Sequence, residues 1–280
     1  MKLIRTIKAM QEYSRSLHRK DRTIAVVPTM GCLHEGHLAL VDTARKYADS
    51  VIVTIFVNPA QFGPKEDFSR YPRPFRRDLG LCRKHGADAV FAPSSREMYG
   101  TGATTWVEEV QLSRGLCGKS RPIHFRGVTT VVAKLFNATL PDAAVFGKKD
   151  YQQAQIIKRM TRDLNFPVRI ILQETVREKD GLALSSRNSY LSPEMKGAAL
   201  AIRHSLLSAK SAILKGEKGI AAIGKSISDA IGSAGGKIDY VEIVDAENLE
   251  PLKKISGKTL IAVAAFFGKT RLIDNIEVKC

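Results

Sequence analysis

Long apolar runs are missing from this 280-residue chain; none approaches the roughly 20 residues needed to cross a bilayer. The opening is interrupted by Lys2, Arg5 and Lys8 before any leader-like apolar stretch develops. These absences lead us to expect a soluble, cytoplasmic protein with no membrane partner. Cysteine is also scarce: Cys32, Cys82, Cys117 and Cys280 stand far apart and form no Cys-x-x-Cys pair. That spacing argues against a zinc knuckle or a dithiol redox motif and fits reduced thiols in a cytoplasm. No internal repeat or low-complexity linker stands out.

Negative charge is short as well, with 28 Asp and Glu against 44 Lys and Arg, a formal net charge of +16. Such an excess points first to nucleic acid or an anionic surface. The basic residues are spread along the chain, denser from Arg70 to Lys84 and from Arg114 to Arg126, and neither stretch has the interleaved aromatics of a stacking platform. We therefore expect no nucleic-acid partner; a small polyanion such as a nucleotide accounts for part of the charge, and solvated surface for most of the rest.

What is present is alternation. Strand-length apolar runs at 23–29, 51–57, 88–92, 104–110, 143–147 and 168–174 alternate with helical patterns near 36–48, 74–86, 126–138 and 150–164. The unbroken run Val51 to Val57 reads as a central parallel strand buried on both faces. This pattern predicts an α/β fold, a doubly wound Rossmann-like parallel sheet with ligands at the carboxyl ends of its strands. Beyond about residue 176 it changes to helices at 193–214 and 218–233 and strands at 238–244 and 259–266, a smaller α+β C-terminal domain. The expected division is 1–175 for nucleotide and substrate binding and 176–280 for the smaller domain.

Residues 28–37, Pro-Thr-Met-Gly-Cys-Leu-His-Glu-Gly-His, close the run Ile24 to Val27 and open a helix. A strand-to-helix turn offers backbone N–H groups and the positive end of a helix dipole, so it suits a phosphate. His34 and His37 can donate to the same anion. Ordinary packing and half of a zinc site remain open readings of such a pair. Their spacing of three does not complete a His-Glu-x-x-His pattern, and Gly36 is expected to interrupt the helix.

Other segments are weaker alone. Gly219 to Ser226 fits the letters of a P-loop, but no buried strand precedes it and Ile220, Ile223, Ile227 and Ile231 recur at helical spacing, so it reads as a helix face. Phe56 to Phe62 ends the central strand with Asn58 and Gln61, whose amides can both donate and accept. In Gly147-Lys148-Lys149-Asp150-Tyr151-Gln152-Gln153 a lysine can meet phosphate oxygens and Asp150 can cap a helix or orient a ribose hydroxyl. Leu184-Ser185-Ser186-Arg187 makes a compact anion clamp.

Taken in order, these segments, with Arg70-Tyr71-Pro72-Arg73 and His124-Phe125-Arg126-Gly127-Val128, resemble the pantoate–β-alanine ligase (pantothenate synthetase) family of His-x-Gly-His nucleotidyltransferases over residues 24–191. The resemblance implies that pantoate and ATP form pantoyl adenylate and pyrophosphate, after which β-alanine displaces AMP. It implies Mg2+ with the ATP, and a homodimer built through the larger domain. Met30, Gly31, Cys32, Leu33, His34, Glu35, Gly36 and His37 would line the nucleotide site, with His37 the proton donor. Gly147, Lys148, Lys149, Asp150, Val176, Leu184, Ser185, Ser186 and Arg187 would complete it, and Gln61 and Gln153 would hold pantoate. His34, His37, Lys149, Ser185, Ser186 and Arg187 form the expected catalytic set, with no protein metal ligands.

Three positions depart from the family pattern: Lys148 replaces a common Glu, Cys32 a small residue, and Arg76-Arg77-Asp78 an acidic cluster of which only Asp78 is left. Cys32, beside the helix end, is expected to have a depressed pKa and to be open to alkylation. The nearest enzymatic alternative is another His-x-Gly-His nucleotidyltransferase with a different acceptor.

Overall fold

The computed structural model describes residues 1–64 and 66–279; Cys280 lies outside them. In chain order the elements are β1 Lys2–Ile4, α1 Ile7–His18, β2 Ile24–Thr29, α2 Glu35–Ala44, β3 Ser50–Ile55, α3 Phe75–Lys84, β4 Ala89–Phe91, α4 Ser95–Tyr99, α5 Cys117–Ser120, α6 His124–Thr139, β5 Ala143–Gly147, α7 Tyr151–Asp163 and β6 Arg169–Gln173. Then follow α8 Pro193–Leu214, α9 Ile220–Ser233, β7 Lys237–Asp245, β8 Lys258–Phe267 and β9 Thr270–Lys279, with short 3-10 turns at Pro59–Gln61, Lys148–Asp150 and Ser186–Tyr190.

The chain divides into two compact units. The first holds 1–110, 121–148 and 156–174; the second holds 111–120, 149–155 and 175–280. Lys149, Asp150 and Gln153 therefore belong to the second unit, with Ser185, Ser186 and Arg187.

The first unit contains a six-stranded parallel sheet in the order β1-β4-β3-β2-β5-β6. β2 and β3 are interior strands, so their residues alternate between two buried faces. Ile24, Val26 and Ile52 join the layer that includes Met10 of α1 and Val128, Val132 and Phe136 of α6. Ala25, Val27, Val51 and Val53 join the layer that includes Leu40 and Val41 of α2 and Cys82 of α3. Two-sided burial is why these strands read as continuous apolar runs. The order reverses between β2 and β5, and the turn bearing His34 and His37 leaves the carboxyl end of β2, the place where doubly wound sheets bind ligands.

The expected strand at 104–110 does not form. Its alternation suggests a strand, yet Thr104, Thr105 and Trp106 are exposed, and the Val107 backbone pairs with hydroxyls of α6: its N–H donates to Thr130 Oγ1 at 3.0 Å and its carbonyl accepts from Thr129 Oγ1 at 2.6 Å. Strand β1 was not expected, and neither was β9. In β9 the core-facing alternation of Leu272, Asp274, Ile276 and Val278 is broken by a charged residue, which is buried because Arg177 forms an ion pair with it.

The second unit has a three-stranded antiparallel sheet, β7-β8-β9, packed with α8 and α9. The P-loop-like letters begin at the N-cap of α9, Gly219, and run into that helix, whose Ile223, Ile227 and Ile231 are buried, as the helix-face reading expects.

Candidate functional site

Histidines build the turn after β2. Helix α2 begins at Glu35 with His34 as its N-cap. The Gly36 N–H donates to His34 Nδ1 at 3.1 Å, and the His34 N–H donates to His37 Nδ1 at 3.4 Å, so two imidazoles do what Ser and Glu do in an ordinary capping box. Gly36 accordingly lies inside the first helical turn and does not interrupt the helix. The rings are 4.1 Å apart between centroids. An imidazole that accepts at Nδ1 carries its proton, when neutral, on Nε2. Each ring is thus set as an Nε2–H donor at the positive end of α2, which is the requirement for holding a phosphate.

The approach to this cap is strained. Gly31 and Cys32 have φ of +79° and +52°, and Cys32, as an L-residue, adopts that region at some expense. The Cys32 and Leu33 N–H groups donate to the two oxygens of Asp78 at 2.8 and 2.9 Å, and Asp78, in the first turn of α3, is fully buried. This overturns the expectation for Cys32: burial, then the Asp78 charge, raise its pKa, and the opposing pull of Arg77 is smaller. A buried carboxylate stands where the helix dipole was expected to act unopposed.

Gln61 is held on all sides within the first unit. Its Oε1 accepts from Asn58 Nδ2 at 3.1 Å and its Nε2 lies 3.3 Å from the Met30 sulfur. Asn58 is fixed in turn by Tyr99, whose hydroxyl donates to Asn58 Oδ1, and by the Gly127 carbonyl. The Gln61 carbonyl accepts from His124 Nδ1 at 2.9 Å and from Arg121 at 3.2 Å. Arg121 also forms a half-buried ion pair with Glu66; burial pushes that carboxyl up, and the guanidinium more than offsets it and holds it below the usual range. A cavity of about 340 Å3 at the carboxyl ends of β3 and β4 reaches the turn at Met30 and Gly31 and is lined by Arg5, Arg73 and Asp78.

Lys148, at the end of β5, forms an ion pair with Glu174. In the second unit the Lys149 carbonyl accepts from Asn275 of β9 at 2.9 Å, and the buried Tyr151 hydroxyl donates to the Ala246 carbonyl. The adjacent glutamines divide: Gln152 is buried, bonded to the backbones of Leu112, Gly115 and Cys117, while Gln153 is half-buried. A small hairpin carries Ser185, Ser186 and Arg187, expected from sequence to clamp an anion. The Leu184 N–H donates to the Val176 carbonyl, Arg177 pairs with Ala183, and Asn188 Nδ2 bonds the Ala183 carbonyl and Glu178. Ser185 caps the turn that follows, accepting from the Arg187 N–H at 3.3 Å.

The structure therefore brings Met30 to His37 and Gln61 together in the first unit, and Lys149, Asp150 and Gln153 share the second unit with Val176 and Leu184 to Arg187. Asp78, Asn58, Arg121 and His124 support this frame and were not among the expected site residues.

The pantoate-beta-alanine ligase family model matches residues 2–277. The chain belongs to this family. It is 53% identical over 280 residues to a pantothenate synthetase of Moorella thermoacetica, covering 100% of this chain and 99% of that protein. A pantothenate synthetase of Thermotoga neapolitana is 53% identical over 98% of this chain and 99% of its own length. Among solved structures, pantothenate synthetase from Thermus thermophilus superposes with a TM-score of 0.94 at 43% identity over the whole of both chains. Pantoate-beta-alanine ligase from Francisella tularensis, complexed with beta-gamma ATP and beta-alanine, superposes at 0.83 with 35% identity, covering 99% of this chain and 97% of that one.

Proposed function

We propose that this protein joins pantoate to β-alanine at the expense of ATP, through pantoyl adenylate. The observation that carries the reading is the capping pair His34 and His37, set as Nε2–H donors at the carboxyl end of β2, in a turn whose Met30 meets a fixed Gln61 and in a chain that belongs to the family.

The pantoate carboxylate attacks the α-phosphorus of ATP, and the bond to the leaving pyrophosphate breaks. The β-alanine amine then attacks the acyl carbon, AMP leaves, and the amine gives up a proton. Pantoate supplies the nucleophile, so the protein needs none of its own. Its task is to hold two anions together and to favour the charge that develops on the leaving group. His34 and His37 hold phosphate oxygens, with His37 donating as charge develops. Lys149, Ser185, Ser186 and Arg187 take the pyrophosphate side, Gln61 and Gln153 orient pantoate, and Gly147, Lys148, Asp150, Val176 and Leu184 border the nucleotide.

No group of three or more His, Cys, Asp or Glu among the described residues is arranged to hold a metal, and both Asp78 oxygens already accept backbone N–H groups. A magnesium ion would accordingly be held by the ATP phosphates and water rather than by Asp78, and would neutralise charge there. The cytoplasm is the proposed compartment. A homodimer through the first unit is supported by the irregular segment 104–110, which exposes Trp106 and Val110 by 44% and 59%.

The test is pantoate-dependent exchange of labelled pyrophosphate into ATP with β-alanine omitted. Exchange is expected. Its absence in folded protein that binds ATP would refute pantoyl adenylation and favour a nucleotidyltransferase with another acceptor.

A further inference from the structure

We infer that Asp78 is a positioning residue of the adenylating step: its carboxylate fixes the backbone that leads into the His34–His37 cap and keeps anions off the amides of Cys32 and Leu33. The inference rests on the proposed adenylating activity.

Three observations carry it. First, Asp78 is fully buried, and each of its oxygens accepts one N–H of two consecutive turn residues, at 2.8 and 2.9 Å. Consecutive N–H groups converging on one acceptor are an anion-binding arrangement, and here the protein supplies the anion itself. Second, the same carboxylate lies 3.0 Å from where a Cβ on Gly31 would be, with Ile55 at the same distance on another side. With Gly31 at φ +79° and Cys32 at φ +52°, the turn has an unusual backbone course that Asp78 bridges across 46 residues of sequence. Third, the residue after this bonded pair is His34, whose own N–H is bound by His37. The chain of contacts thus runs from α3 through two amides into both imidazoles.

Two consequences follow. The Cys32 and Leu33 amides are withdrawn from any ligand, so a phosphate at this turn is addressed by the imidazole side. And Asp78, although it is what is left of the family's acidic cluster, has both oxygens engaged by backbone and acts on the turn and not on a metal.

The experiment compares full-length wild type with Asp78→Asn, whose amide keeps the size but can accept at only one atom. Wild-type pantoate-dependent exchange is measured first; if it is missing, the adenylating reading has failed and not this inference. Given exchange, Asp78→Asn is expected to lose about 10- to 100-fold in kcat through misplacement of the imidazoles. The KM for pantoate and the half-saturating magnesium concentration should stay within about twofold, since neither is the lost interaction. Alkylation of Cys32, followed by peptide mapping, should move to lower pH in the variant, because the facing negative charge is gone. Unchanged kcat would overturn the inference, as would a magnesium requirement raised about tenfold or more at unchanged kcat, which marks a metal ligand. If the variant does not fold, amide exchange in the wild type decides: Cys32 and Leu33 N–H groups should be protected, and rapid exchange at both would refute the assignment.

Discussion

Helix α6 passes so close to the Pro59–Gln61 turn that a single methyl group decides whether Gln61 keeps its place. A Cβ on Gly127 would lie 2.3 Å from the Ala60 carbonyl oxygen, 2.5 Å from its carbon and 2.7 Å from the Gln61 Cα, all backbone atoms. Carbon atoms pack at about 3.5 Å, so Gly127→Ala forces the turn back by about 1 Å. The same movement pulls Asn58 Nδ2 from the Gly127 carbonyl, where it now donates at 3.1 Å. Overpacking of this kind typically costs about 1–3 kcal/mol, the lost hydrogen bond about 1 more, and the better helix propensity of Ala returns about 1. The net expectation is about 1–3 kcal/mol of lost stability. A displacement of about 1 Å in a substrate-orienting group is worth on the order of 100-fold in rate, so kcat/KM for pantoate should fall by that order while KM for ATP hardly moves. Pyrophosphate exchange with pantoate varied, together with denaturant unfolding, measures both. Gly197→Ala is the control, because nothing lies within 4 Å of its notional Cβ; it should gain about 0.5–1 kcal/mol and keep its activity. A Gly127→Ala protein as stable as that control, with ordinary use of pantoate, would refute the reasoning.

Other outcomes are expected. His37→Ala should lower exchange by at least about 100-fold with the circular dichroism spectrum intact, and near-normal turnover would remove its assigned role. Iodoacetamide should modify Cys32 slowly at neutral pH and faster only above the ordinary thiol range, with ATP slowing the reaction; full activity after complete Cys32 modification would separate it from the site. Cys82 is pushed up to about 12 from its ordinary 9.0 by burial and then by Asp78. The folded thiol therefore holds its proton at pH values where the unfolded chain has lost it. That stability is fully present below about pH 9 and declines as pH rises toward 12. Tyr99, pushed up to about 12 by burial, works in the same direction. Unfolding followed from pH 8 to 11 should show this alkaline decline, and Cys82→Ala should flatten it; an identical slope in the variant would count against burial of a protonated thiol.

The sheet was legible because its chemistry is local. β2 and β3 are bounded apolar runs, and burial on both faces leaves that mark on composition. The segment at 104–110 misled because Thr-Thr-Trp-Val-Glu-Glu-Val looks like a strand whether its backbone meets another strand or, as here, the hydroxyls of Thr129 and Thr130. β9 was missed for the opposite reason: Asp274 interrupts its apolar face, and its burial is made tolerable by the fork of Arg177, almost a hundred residues earlier, together with the Asn275 N–H. The imidazole pair and the Ser-Ser-Arg run draw attention by residue type. Asp78 does not, since its partners are backbone amides, which carry no sequence signature. Gln152 and Gln153 are the same residue side by side, and only the helix rotation that buries the first distinguishes the structural amide from the candidate for substrate.

Individual cations show how part of the basic complement is used. Arg73 donates to the carbonyls of Phe68 and Tyr71 from an exposed position, whereas Arg121 pairs with Glu66, Arg177 with Asp274 and Arg271 with Asp239, each fixing a loop or sheet edge from a half-buried position. Arginine suits this work because its planar fork meets carboxylates and carbonyls at several points. Adjacent lysines show the complementary case. Lys148 is answered by Glu174, whereas the half-buried Lys149 has no ion pair among the described residues. A reaction that brings a carboxylate to a polyphosphate needs positive charge that the fold has not already neutralised. We propose that Lys149 meets that need more than Lys148, so Lys149→Ala should depress exchange by a larger factor than Lys148→Ala. Equal losses in the two variants would show that the Glu174 pair does not withhold Lys148 from the substrates, and the division of labour argued here would fall.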